Sequence, residues 1–465
     1  MTVHTLDIAL IILYLCGLLW LGMSFKKKST GDSNYLLAAR SLSLPAFVMT
    51  LVTTWYGAIL GVGEFIFGFG VVGWVTNGLF WYVVYLFFGL YLSKKIHTSQ
   101  YVTVADQLKH TIGRKTGKLG ALFTYVMTTP APYIFSLGLL VNALFGWSLW
   151  LSIIVGTVVS ATYIWSGGFR AVVRTDMLQF IFMYLGFGLL LILSVKTFGG
   201  FDFLLGNLPE THLTWRGELP IQSILVWGLL ALWTLVDPNF YQRCYAAKDA
   251  KTAQRGVFWS LGFWLLFDML TLCTALYARA AFPEADPLFS YLVLADAVLP
   301  MLVKGLFVVT LLSIIMSTID SFLFASSSIV AHDFLEETHQ TTSVTRLTKK
   351  GIIVTLVLSL ALIALFDSII GIIYGIGTIG VSALLCPILI SFFSKKQWND
   401  IHVMVSMIAA AVVSGVWLIH GWIHQEYGWP TYVFGIEPMY VGLIISAVTL
   451  IMFKKKALPA ARQEK

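Results

Sequence analysis

Charge is scarce in this chain. Asp, Glu, Lys and Arg make up 11% of its 465 residues, where soluble domains carry about 25%, so an ordinary soluble globule is excluded. Cysteine is scarce as well. Cys16, Cys244, Cys273 and Cys386 lie in or beside different apolar stretches without metal-ligand spacing. They read as small apolar fillers and imply no disulfide framework. The nine histidines sit mostly in loops and lack HExxH-like spacing, which leaves an intramembrane enzyme without its metal ligands. No polar stretch is long enough for a second, soluble domain, so 1–465 is expected to be one polytopic membrane domain.

What the chain has instead is apolar surface: 58% of its residues are hydrophobic and 15% aromatic. A run of about 20 apolar residues crosses the hydrocarbon as a helix, and about thirteen such runs can be marked. They lie near 6–25, 43–69, 72–93, 119–145, 148–166, 176–199, 220–242, 256–280, 298–330, 350–366, 369–393, 401–423 and 437–453. The first has no small-residue cleavage site and is followed by lysines, so it reads as a retained span. The formal net charge of +7 is no nucleic-acid signature, because its placement explains it. Of the 30 basic residues, all but Lys196, Arg216, Arg279 and Lys304 fall on alternate loops. The basic loops begin with Lys26–Lys28 and Arg40, pass through Arg170, Arg174, Arg243 and Lys248, and end with Lys454–Lys456, Arg462 and Lys465. By the positive-inside rule those loops are cytoplasmic, the N-terminus is outside and the C-terminus inside. An odd number of spans agrees. On the inner side VTVADQLKHTIG is spaced for a short surface helix, and on the outer side 199–220 and 280–299 are long enough to cover a mouth.

One span carries chemistry. Leu311–Phe334 is apolar yet bears Ser313, Ser317, Asp320, Ser321 and Ser328, with Thr310 just ahead, at helical spacing. A carboxylate in hydrocarbon costs about 2.5–3.5 kcal/mol or more and faces protein, water or an ion. Hydroxyl and carboxylate oxygens suit a small hard cation, although serine and threonine also glue transmembrane helices together. Two other spans look broken. The second carries Gly57, Gly61, Gly63, Gly68, Gly70 and the ionisable Glu64, and the fourth has Pro130 and Pro132. Irregular backbone at membrane depth is tolerated only against protein, water or an ion, and transporters use it to build ion sites from freed carbonyls.

Four segments carry a resemblance. LLAARSLSLPAF (Leu36–Phe47), SGGFRAVVRTDMLQ (Ser166–Gln179), DPNFYQRCYAAKDAKTAQRG (Asp237–Gly256) and MSTIDSFLFASSSIVAHDF (Met316–Phe334) resemble, in order, segments of the sodium/solute symporter family. That family includes sodium–proline, sodium–glucose and sodium–sialic acid transporters. The resemblance implies an all-α membrane protein with the 5+5 inverted-repeat, leucine-transporter-like fold and one extra N-terminal helix. Repeat one would run over about 43–199 and repeat two over about 220–393, with 6–25, 401–423 and 437–453 as additional helices. It also implies a main sodium site formed by the carbonyls of Thr53, Tyr56 and Ile314 with the side chains of Ser317 and Thr318. A second sodium or proton site would join Asp176 to Ser317, Asp320 and Ser321, where Asp320 replaces a hydroxyl of the best-described second site. Asp176 reads equally as the N-cap of the sixth helix. Substrate contacts in the family come from helices two, three, seven, eight and eleven. Here Trp55, Tyr56, Glu64, Trp227, Trp233 and Asp268 are the candidates, with Glu64 and Asp268 singled out as ionisable at membrane depth.

The implied function is sodium-coupled import of a small organic solute by alternating access across the cell inner membrane. Sodium is the coupling ion, no organic cofactor or obligate protein partner is implied, and the lipid bilayer is the surrounding medium. A proton-coupled symporter with Asp320 as carrier is the alternative. So is a transporter-like membrane sensor, which would need a separate partner because KKKALPAARQEK leaves no room for an effector.

Overall fold

The computed structural model describes residues 4–24, 32–335, 343–366, 368–426 and 429–452. Lys26–Lys28, Lys454–Lys456, Arg462 and Lys465 of the basic loops lie outside those ranges, as does residue 453 at the end of the last expected span. Apart from a two-residue antiparallel pair, Gln425–Glu426 with Trp429–Pro430, the regular structure described is helical.

Ten of the described helices are long and apolar enough to cross a membrane: Thr5–Ser24, Val72–Ser99, Arg114–Phe145, Gly167–Phe198, Ile221–Ala246, Ala250–Ala281, Val303–Leu335, Val344–Leu365, Ile369–Phe393 and Asp400–Ile423. They fall on ten of the expected runs. The second, fifth and last runs coincide with shorter apolar helices, Leu44–Thr53 with Ile59–Phe69, Leu149–Trp165, and Pro438–Met452. A further short helix, Pro287–Val298, lies in the loop expected over 280–299. Apolar side chains such as Leu13, Val158, Ile192, Val357 and Ile423 point outward, the surface that lipid covers and water does not tolerate.

At the centre stands Val303–Leu335, which is buried on all sides. The polar stripe is therefore not its only covered face, and its members turn to different neighbours. The start of this central helix is held by the first one. Asp7 Oδ1 accepts from the backbone N–H of Leu302 and of Gly305, each at 3.0 Å, satisfying donors that a helix N-terminus otherwise leaves unpaired. The two helices thus begin on the same side.

Both expected breaks are present. The second run stops helically at Thr53 and resumes at Ile59. The reason for a glycine in this break is contact: a Cβ on Gly57 would lie 2.6 Å from Thr318 Cβ and 2.7 Å from Tyr133 Cδ1, so only a bare backbone can reach the central helix. The fourth run is interrupted between Met127 and Ala131, where Pro130 has no N–H to continue the ladder.

Beyond the second break, the 199–220 loop folds over the end of Ile59–Phe69. His212 O accepts from Val71 N at 2.9 Å, and His212 Nε2 donates to Phe67 O at 3.0 Å. Gly70 adopts φ +76°, and a Cβ there would sit 2.3 Å from His212 Cα. At the other end, Val104–Thr111 is the short helix read from VTVADQLKHTIG, opened by a Thr103/Asp106 capping box. It is tied to the end of the central helix by His332–Asp106 at 2.9 Å and Thr103–Asp333 at 2.9 Å.

Candidate functional site

The helix break and the central helix meet through neutral oxygens. Ser317 Oγ donates to Thr53 O at 2.9 Å and to Ile314 O at 3.0 Å. Thr318 Oγ1 reaches the same two carbonyls at 3.3 and 3.2 Å. Four of the five expected main-site residues are thereby brought together, all buried. Tyr56, the fifth, lies within the break, and its side chain turns away to Asp268. The cluster holds no carboxylate. Carbonyl and hydroxyl oxygens without a fixed negative charge suit a monovalent ion that must also leave.

Of the residues expected at a second site, Asp176 and Ser321 share a partner, whereas Asp320 and Ser317 bond elsewhere. Asp176 Oδ2 accepts from Thr50 Oγ1, and Arg243 Nη2 stands 3.6 Å from the same oxygen. That nitrogen also donates to Ser321 Oγ at 2.7 Å and to Thr50 Oγ1 at 3.0 Å. Asp320 turns elsewhere, both its oxygens accepting from the Tyr163 hydroxyl at 2.6 and 2.7 Å. Ser317 faces the break. A guanidinium thus bridges Asp176 and Ser321, while Asp320 makes a separate pair. Arg243, which the charge pattern assigns to a cytoplasmic loop, is completely buried. Its place in Ile221–Ala246, a helix that runs past the break, explains the difference. Asp176 sits inside Gly167–Phe198 rather than at its start, so it is not an N-cap.

At the break lies a cavity of about 120 Å³ lined by Trp55, Tyr56, Trp227 and Asp268 among the expected substrate residues. Glu64 is not among the lining residues; its stretch of Ile59–Phe69 packs toward the loop at Pro287–Phe289. Trp233 is buried behind Trp55, ring centroids 6.0 Å apart. Sequence reasoning missed Asn77, Trp81, Tyr82 and Tyr85 of the third run, Tyr133 of the fourth and Trp264 of the eighth. Their one signal is the aromatic cluster FWYVVY at Phe80–Tyr85, which reads equally as packing. Asp268 is held by two phenols: Tyr56 donates to Oδ1 at 2.6 Å and Tyr82 to Oδ2. Trp74 Nε1 in turn donates to the Tyr82 hydroxyl at 3.1 Å.

A discontinuous helix clasped to a wholly buried, hydroxyl-bearing one, with a cavity at the discontinuity, is the architecture of a secondary transporter. The fold matches a Na+-coupled sialic acid symporter solved in a substrate-bound outward-open state, with TM-score 0.81 at 14% identity over 98% of this chain and 99% of the other. A nucleobase-cation-symport-1 family transporter in a closed conformation matches less closely, with TM-score 0.54 and 15% identity over 90% and 94%. In sequence the chain is 28% identical to the sodium/pantothenate symporter of Haemophilus influenzae over 67% of this chain and 68% of that protein. It is 25% identical to sodium/glucose cotransporter 4 of Danio rerio over 71% of this chain and 58% of that protein. Against mouse sodium-coupled monocarboxylate transporter 2 the identity is 24% over 67% and 54%. The chain thus spans little more than half the length of these vertebrate relatives. The sequence model of the sodium:solute symporter family matches residues 35–410, and the chain belongs to that family. It is a family of membrane transporters, not of enzymes.

Proposed function

We propose that this chain is a sodium-coupled symporter that imports a small organic solute by alternating access, in the cell inner membrane. The observation that carries the reading is the shared bonding of Ser317 and Thr318 to the Thr53 and Ile314 carbonyls at the helix break. An ion held by those oxygens would fasten the broken helix to the central one. Because Trp55 and Tyr56 follow directly in the break and line the cavity, that fastening would also form the solute pocket. Thirteen spans, an outside N-terminus, an inside C-terminus and repeats over about 43–199 and 220–393 complete the proposed architecture. One sodium per cycle is proposed, because Arg243 already places a positive charge between Asp176 and Ser321.

The test is thermal stability of the purified protein titrated with sodium against potassium at matched ionic strength. A saturating, sodium-specific rise of about 2.7 kcal/mol is expected at a hundredfold excess over Kd. Thr318→Ala should weaken the sodium response by about tenfold, the loss of roughly one hydrogen-bonding ligand. An unchanged sodium response in that variant refutes the site. One observation favours a second reading, proton coupling: the buried Asp320 is met by a neutral phenol rather than a base. Stabilisation by falling pH, lost in Asp320→Asn and indifferent to sodium, would select it.

A further inference from the structure

The cavity at the break has an unusual balance of groups. Asp268 is the one carboxyl group among its lining residues; no lysine, arginine or histidine accompanies it. It stands within Ala250–Ala281, far from either end of that helix, and is only partly covered. Its oxygens are oriented by the Tyr56 and Tyr82 hydroxyls. Around it stand the rings of Trp55, Trp81, Tyr85, Trp227 and Trp264. They brace one another: Trp55 and Trp81 meet at 5.0 Å edge to face, and Tyr85 stacks on Trp264 at 4.1 Å.

Resting on the symport reading, the geometry points to an organic cation as the solute, recognised by an alkylammonium head set between Asp268 and this aromatic wall. A desolvated cation is drawn to the π-surfaces of tryptophan and tyrosine, and Asp268 supplies its counter-charge. The same groups argue against an anionic solute. An anionic solute would meet a carboxylate and no basic partner. Of the cavity's polar groups, the Tyr56 and Tyr82 hydroxyls are committed to Asp268 and the Asn77 amide donates to Gly73 O and Thr76 Oγ1 at 3.0 and 3.1 Å, while the Trp55 and Trp81 indole N–H groups have no partner. The pocket is therefore built for a charge opposite to that of a carboxylate solute.

Tryptophan fluorescence and thermal shift of the full-length protein test this, with tetramethylammonium, propylammonium, tert-butanol, propionate and glucose as probes, each in sodium and in potassium. Saturable responses to one or both ammonium ions, absent with tert-butanol, are expected, and Asp268→Asn should weaken them by about tenfold or more. Preference for tetramethylammonium means that the rings dominate recognition; preference for propylammonium means that N–H donation to Asp268 does. Binding of propionate or glucose without the ammonium ions overturns the inference, as does no binding by any probe or undiminished ammonium binding in Asp268→Asn. Should that variant not fold, the contrast between tetramethylammonium and tert-butanol on the unaltered protein decides. The two readings fail separately. Ammonium binding that is indifferent to sodium removes the coupling and keeps the head group. Sodium stabilisation through Thr318 without ammonium binding does the reverse.

Discussion

Arg243 joins the helix break to the core. It is fully buried, donating to Thr50, Ser321 and the Asn239 carbonyl and standing 3.6 Å from Asp176. Removing one partner of such a pair strands a charge, so Arg243→Gln should cost about 3–5 kcal/mol in unfolding free energy. Adding Asp176→Asn should recover part of that loss, because the stranded carboxylate is then neutral. Strictly additive losses in the double-mutant cycle would show that the two are uncoupled. Residues of this kind divide sharply in how legible they are. Ser317 and Thr318 could be named as a pair because the family resemblance carries two adjacent hydroxyls onto this helix. Arg243 could not be placed, because a basic residue at the end of a span has the same sequence signature whether it enters water or folds back into the protein.

Two elements depend on single side chains at their ends. Asp7 caps the central helix through Leu302 N and Gly305 N. Asp7→Ala should therefore lower stability by about 1–2 kcal/mol, and Asp7→Asn, which keeps an acceptor oxygen, by less. Equal losses would mean that charge rather than capping matters. At the far end of the broken helix, burial holds the His212 ring below its ordinary pKa of about 6.5, with Arg279 lowering it further and the Phe67 carbonyl and Glu218 acting against the shift. Its Nε2 proton is committed to Phe67 O, and Nδ1 has no partner. Since the folded state binds the proton less readily than the unfolded one, stability should fall as pH drops below about 6.5 and level off beneath the folded value. Melting temperature against pH, with His212→Gln as the flat control, checks this; a step of equal size in both proteins would exclude His212 as its source.

For the whole molecule the proposed coupling sets a ceiling. One charge crossing 100 mV gains about 2.3 kcal/mol, and a tenfold sodium gradient adds about 1.4. Together, roughly 3.7 kcal/mol sustains a neutral solute gradient of several hundredfold at one-to-one coupling. A monovalent cationic solute moves a second charge and should reach a ratio roughly fiftyfold higher at the same potential. Proteoliposomes with imposed potential and sodium gradients measure it; collapsing the tenfold sodium gradient at fixed potential should lower the ratio about tenfold, and accumulation unchanged when sodium is omitted from both sides would end the sodium-coupled reading.

What the sequence by itself determined was everything written in one dimension. Its hydrophobic runs located the helices, since burial in hydrocarbon demands about twenty apolar residues whatever the packing. Its glycines and Pro130 marked the two breaks, because each removes a constraint or a donor from the local backbone. Four short segments in order carried the family. Tertiary structure alone decided which of the buried polar groups meet. It sent Asp320 to Tyr163 and set Arg243 between Asp176 and Ser321. It also left Glu64 off the cavity that Asp268 lines. These pairings depend on the rotation and depth of helices far apart in the chain. Hydropathy constrains neither, because a helix turned about its axis keeps the same sequence and meets different neighbours.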